Sequence, residues 1–151
     1  MMCAKEILEA KKIGDMEREE RKRQEELAKE QARAKRREEA KAATFKYTEK
    51  LVNQLYSRAK NGEELKIIRH YETNLDGLYL PMTKSNYKYS NGIQAWYHDT
   101  TTLLNLDYLI ELLINLCFKV ERDMVSLPVN SCRSERFTRI TISVPTTLPC
   151  D

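Results

Sequence analysis

The chain has 151 residues, 26 Lys and Arg against 23 Asp and Glu, and a formal net charge of +3. That length bounds it to one domain with an appendage, and so small a net charge does not by itself imply nucleic acid. No apolar run approaches the ~18 residues of a membrane-crossing helix, so no membrane partner is expected.

The charge is unevenly spread. Residues 1–62 carry 17 bases and 12 acids, net +5, and residues 63–151 carry nine bases and 11 acids, net −2. A mildly cationic leading segment before a mildly anionic body hints at a polyanionic partner. The first residues are charged and lack the apolar core of a secretory signal, so Cys3, Cys117, Cys132 and Cys150 are expected as reduced thiols in a cytoplasmic protein.

Residues 2–13 place Ile7, Leu8 and Ile13 along a short helix. Gly14-Asp15 then reads either as a break with a new N-cap or as a glycine inside a continuous helix, at a cost of ~1 kcal/mol. From Asp15 to Lys41, 19 of 27 residues are charged, nine acidic and ten basic, and no Gly, Pro or β-branched residue occurs before Thr44. Acids precede bases at helical spacing, as in Glu17/Arg21, Glu19/Arg23 and Glu25/Lys29, each pair supporting a helix by roughly 0.2–0.5 kcal/mol. This helix has no apolar stripe and therefore reads as an arm that meets a partner. Arg33, Lys35, Arg36 and Arg37 are its candidate phosphate contacts.

The pattern changes at Ala43. Phe45, Thr48, Leu51, Val52, Leu55, Tyr56 and Ala59 recur at three- and four-residue spacing as an amphipathic stripe, and Asn61-Gly62 supplies a stop. The organisation expected is therefore an N-terminal helical arm over 1–62, charged over 15–41 and amphipathic over 43–60, followed by a compact domain over 63–151. If 15–60 were one rod it would span ~69 Å.

The body reads as strands and one helix. Leu65–Tyr71 is β-rich, Asn74–Gly77 is a turn, and Leu78–Met82 is a strand closed by Pro81 at an edge or end. Tyr87–Ser90, Asn91-Gly92 and Ile93–His98 read as a hairpin. Asn105 caps a leucine-rich helix over Leu106–Phe118, with Leu106, Leu109, Ile110, Leu113, Leu116 and Cys117 on one face and Leu112 and Ile114 widening it. That breadth would also suit a dimer contact. Val120–Leu127 is a weaker strand, and Arg136–Val144 alternates Ile140, Ile142 and Val144 inward. The tail after Val144 is not expected to be structured. The fold class expected is α+β: a long charged N-terminal helix, then a small antiparallel sheet of four or five strands with one packed leucine-rich helix.

Chemistry is thinly represented. His98 and Asp99 are adjacent, which on a strand sends them to opposite faces. His70 reads as a sheet-face residue and Cys132 as a loop cysteine. Two histidines and four scattered cysteines offer no zinc spacing, and no nucleotide or nucleophile motif is present. No enzyme, metal or cofactor is expected.

Binding is better represented. Tyr71, Tyr79, Tyr87, Tyr89, Trp96 and Tyr97 crowd 27 residues together with Lys88, Asn91 and Ser90. Tyr, Trp, Ser and Asn on a hairpin have the character of a paratope and could equally stack bases or pair across strands. The candidate partner-binding residues are thus Arg33, Lys35, Arg36, Arg37, Tyr87, Lys88, Tyr89, Trp96 and Tyr97.

Asn74-Leu75-Asp76-Gly77-Leu78-Tyr79-Leu80, the Ser/Tyr/Lys-rich stretch Lys84–Ser90, a strand and the leucine-rich helix at Leu106–Cys117 resemble, over Asn74 to Leu116, the body of one family of anti-CRISPR proteins. These are small inhibitors of type II Cas9 from streptococcal phages, with a positively charged N-terminal segment before a compact α/β body. The resemblance implies a non-catalytic, phage-encoded inhibitor of a host defence protein or ribonucleoprotein. The alternatives are a nucleic-acid-binding accessory protein using the basic arm and Tyr-rich hairpin, and a scaffold forming a homo-oligomer through its helices.

Overall fold

A computed structural model describes residues 1–74, 76–98 and 100–147. Helix α1 runs from Ala4 to Lys60 without interruption. Gly14 therefore lies inside the helix, where a side chain would meet nothing within 4 Å; the good helix formers on either side carry it through. The chain divides into two compact units, Met1–Arg36 and Arg37–Asp151.

In the first unit every residue is exposed. Its stabilising contacts lie along the helix: Arg23 pairs with Glu20 at 3.2 Å, Gln24 donates to Glu20 at 3.1 Å, and Lys11 faces Asp15 at 3.8 Å.

The second unit begins with the rest of α1. Strands β1 (Lys66–Thr73), β2 (Tyr79–Lys88) and β3 (Gln94–Tyr97) follow, then α2 (Leu106–Asn115), β4 (Lys119–Pro128) and β5 (Ser134–Ser143). All pairings are antiparallel, and the sheet has five strands in the order β3-β2-β1-β5-β4. This is an α+β fold.

One face of the sheet carries Ile67 and Tyr71 of β1 and Ile140 and Ile142 of β5, which form the core with Leu51 and Leu55 of α1, Leu104, and Leu106, Leu109 and Leu113 of α2. Side chains alternate along a strand, so His70 and Arg139, directly paired in register, stand on the opposite face. There Phe137 and Met82 are also buried. The two edge strands, β3 and β4, come into contact, and Asn91 Nδ2 donates to the Ser131 carbonyl at 3.2 Å. The sheet thus curls over the face that the helices leave uncovered.

The stripe by which α1 is buried keeps Thr48, Leu51 and Leu55 of the expected one, adds Ala40 and Thr44, and leaves out Phe45 and Tyr56. Ala40, Thr44, Thr48, Leu51 and Leu55 are buried, whereas Phe45 and Tyr56 are 49% and 61% exposed. Small side chains let the helix backbone approach its neighbours. Each threonine satisfies its hydroxyl on the helix itself, Thr44 on the Ala40 carbonyl at 2.6 Å and Thr48 on the Thr44 carbonyl at 2.7 Å. Thr44 Oγ1 also accepts the Asn105 backbone N–H at 2.9 Å, tying α1 to the cap of α2.

The ends of both helices follow from local chemistry. Asn105 Oδ1 accepts the Tyr108 N–H at 3.1 Å, as its position before the leucine run predicts. At the end of α1, Gly62 adopts φ +70°, and Glu63 N–H reaches the Arg58 carbonyl at 2.9 Å. A glycine takes that left-handed conformation without steric cost. The end of α2 uses the same pattern with Cys117 at φ +69°, Phe118 N–H reaching the Leu113 carbonyl at 3.0 Å.

Other boundaries needed correction. The strand expected to close at Pro81 continues to Lys88, so the segments read as two pieces are one. Pro81 pairs with Tyr71 of β1, and pairing of β2 with β3 begins only at Thr83, so the missing N–H falls before β3 joins β2. The strand expected over Val120–Leu127 extends one residue further at each end, to Lys119–Pro128, in unbroken register with β5 from Lys119↔Ser143 to Pro128↔Ser134. Leu116, expected on the buried face of α2, is 56% exposed because it lies past the helix end at Asn115, and Ile114, expected to widen that face, is 53% exposed. Cys3 and Cys132 are free thiols. Within the tail, residues 148–151 lie outside the described residues, as does Asp99.

Candidate partner-binding surface

The β2–β3 hairpin is built by its turn. Tyr89 N–H donates to the Ile93 carbonyl at 2.9 Å, Gly92 N–H to the Tyr89 carbonyl at 2.8 Å, and Gly92 takes φ +81°. This is a three-residue loop with glycine at the left-handed position. Asn91 Oδ1 accepts the Ile93 N–H at 3.2 Å. The loop after β1 has the same form, Asn74 N–H donating to the Leu78 carbonyl at 2.7 Å with Gly77 at φ +72°.

The hairpin treats its aromatic side chains differently. Tyr87 is 67% exposed and Tyr97 46% exposed. Tyr87 meets Tyr89 edge-on, ring centroids 5.4 Å apart. Trp96 is half-buried, its ring 4.5 Å from that of His70 on β1, so much of its surface is engaged within the sheet. Trp96 and Tyr97, being adjacent on β3, face opposite sides. Lys88 is exposed and pairs in register with Gln94.

Register assembles a polar cluster that the sequence did not announce. Arg139 Nε donates to Asp123 Oδ1 at 2.9 Å, and a second contact joins the same two side chains. His70 lies opposite Arg139 across β1 and β5, and His98 Nδ1 lies 3.3 Å from Glu72 Oε2. Burial and then the Arg139 guanidinium lower the His70 pKa, with Asp123 partly opposing them and Arg69 adding to the lowering. The hydrogen bond from Arg139 holds the Asp123 pKa below the usual carboxylate value. Cross-strand neighbours come from strand register, so single-strand patterns could not show that these groups meet.

The four arm cations lie on α1, Arg33, Lys35 and Arg36 in the first unit and Arg37 in the second, all exposed. Among the described residues no group of three or more His, Cys, Asp or Glu could hold a metal ion. Likewise, no helix is long and apolar enough to cross a membrane. Cys132 is an exposed loop thiol beside Ser131.

The fold belongs to the α+β class. Comparison with known families, curated proteins and solved structures finds no match to this chain.

Proposed function

We propose that this is a non-catalytic binding protein, a phage-encoded inhibitor of a bacterial defence protein or ribonucleoprotein of the anti-CRISPR kind, acting in the cytoplasm of the host. The observation that carries the reading is the Tyr-rich hairpin, on which Tyr87 and Tyr97 keep much of their surface exposed. Interface energy concentrates in such aromatic anchors. The resemblance over Asn74–Leu116 supplies the class of target.

The test is cleavage of a plasmid by a purified type II Cas9–guide complex in the presence of the full chain. Inhibition by the chain, abolished by Tyr87→Ala with Tyr97→Ala, is the expected result. Undiminished cleavage at saturating protein would remove Cas9 as the target.

A second reading, nucleic-acid binding through the arm, is favoured by the exposure of Arg33, Lys35, Arg36 and Arg37 along one helix. It requires affinity for RNA or DNA that falls steeply with salt. That affinity should disappear when the four residues become Glu.

A further inference from the structure

One residue of the central strand does not match the row it stands in. Along β1, Ile67, Arg69 and Tyr71 point to the face that the helices cover, and Ile67 and Tyr71 belong to the core. Arg69 lies between them, opposite Ile140 of β5, which is fully buried. A guanidinium in such a row is costly unless it is paired. Yet Arg69 is held by neutral acceptors: Nη1 donates to the Ile68 carbonyl at 2.9 Å, and Nη2 to Gln54 Oε1 on α1 at 2.7 Å. No carboxylate among the described residues forms an ion pair with it. Half-buried beside α1, it keeps its full positive charge and N–H donors beyond those two bonds.

Around it lies a hollow of about 530 Å³ between α1 and β1. Lys50, Asn53, Gln54, Ser57 and Arg58 recur at the spacing of one face of α1 and line one side. Arg69 lines the other, with Ile67 as the only apolar side chain. The lining thus holds three cations, two side-chain amides and a hydroxyl, with no carboxylate among the described residues. Arg58 is fixed in place, its Nε donating to the Glu64 carbonyl at 2.9 Å, with Glu63 3.9 Å away at the margin. No aromatic ring, the platform on which a nucleobase stacks, lies in this lining.

We infer that this hollow binds the phosphate group of a small polar phosphomonoester, such as a phosphorylated sugar or polyol. A phosphomonoester brings about two negative charges and three strong acceptor oxygens. Arg58 and Arg69 offer paired N–H donors to those oxygens, Lys50 a point charge, and Asn53 and Ser57 neutral donors. The amides and the hydroxyl suit a hydroxylated body attached to the phosphate, whereas an apolar body finds only Ile67, which is 2% exposed. A strand of nucleic acid is a poorer occupant. It would continue past the hollow over Glu63 and Glu64, both exposed carboxylates, and it finds no ring for its bases.

The inference goes beyond the proposed function and uses neither the hairpin nor the arm, so each can fail alone. The probe is glycerol 3-phosphate, added to the full chain at constant ionic strength and followed by ¹⁵N NMR. Amide signals of Asn53, Gln54, Ser57 and Arg69 should shift and saturate, while glycerol with sodium chloride moves none of them. Inorganic phosphate should compete for the same shifts. Arg69→Gln should weaken binding about tenfold. Lys50→Gln changes only an exposed side chain of α1, so it tests the site with the fold intact, and it should weaken binding several-fold. Lys41→Gln, outside the hollow, should leave binding unchanged. Shifts that never saturate, or equal affinity in the parent and in Lys50→Gln, overturn the inference. So does a thymidine oligonucleotide that binds more tightly than glycerol 3-phosphate and is itself weakened by Lys50→Gln, since the occupant would then be a nucleic-acid backbone.

Discussion

Tyr47 of α1 and Tyr71 of β1 join helix to sheet through a hydrogen bond between their hydroxyls, 2.8 Å apart, with their rings edge to face at 6.2 Å. Tyr71 is fully buried. Burial raises both phenol pKa values, that of Tyr71 strongly, so both stay neutral across the physiological range. Removing one hydroxyl strands the other, which costs about 1–3 kcal/mol, whereas removing both leaves an apolar contact of similar shape. Tyr47→Phe and Tyr71→Phe should each destabilise, and the double variant should be more stable than their sum requires. Urea unfolding of the four proteins measures the coupling; strict additivity would mean the bond contributes nothing.

Thr44 holds the start of α2 by accepting the Asn105 N–H while its own hydroxyl donates to Ala40. Thr44→Val keeps the shape and removes the acceptor, leaving that N–H without its partner. The expected loss is about 1–2 kcal/mol, with Thr44→Ser retaining most of the stability. Equal stability of the Val variant and the parent would show that the bond is dispensable.

The lowered His70 pKa gives stability a pH dependence of definite sign. Below about pH 6.5 the unfolded imidazole takes a proton that the folded one resists. Stability contributed by neutral His70 is therefore lost as pH falls from about 7 toward the folded pKa. Denaturant midpoints should drop between pH 7.5 and 5.5, and His70→Gln should flatten that slope. Asp123, whose folded pKa is depressed, contributes above the ordinary carboxylate range, and its contribution disappears only as pH falls through the folded value. An unchanged slope in His70→Gln would clear the histidine.

Two glycines should respond in opposite directions to alanine. Gly14 lies inside α1 with open space around it, so Gly14→Ala should stabilise the local helix by up to about 1 kcal/mol, read as slower amide exchange at its neighbours. Gly92 sits at φ +81° in the hairpin turn. There Gly92→Ala should cost about 1–2 kcal/mol and lower the melting temperature. A stabilising Gly92→Ala would count against the left-handed turn, and a destabilising Gly14→Ala against an unstrained passage of the helix through Gly14.

How much of this was legible beforehand differs by element. Asn91-Gly92, Asn74 to Gly77, Asn61-Gly62 and the Asn105 cap were readable because each bond spans only a few residues. The alternation of Ile140 and Ile142 gave the inner face of β5 for the same reason. Thr48, Leu51 and Leu55 of the α1 stripe are readable from their spacing, but Phe45 in place of Thr44 is not, because hydrophobicity favours phenylalanine over threonine for a core and only close approach of α1 to its neighbours reverses that order. The Tyr-rich hairpin was legible as a segment, but the division between Trp96 against His70 and Tyr87 in solvent depends on which strand lies alongside.

The amino-acid order alone placed the two helical segments and the glycine turns, since those follow from bonds and side-chain pairs a few residues apart, but left open whether α1 passes through Gly14 and where α2 ends. Tertiary packing decided which face of α1 enters the core and that His70, Arg139 and Asp123 meet. It also left Phe45 and Leu116 exposed. Those outcomes depend on distances between segments far apart in the chain, and their energies appear only once the segments are packed together.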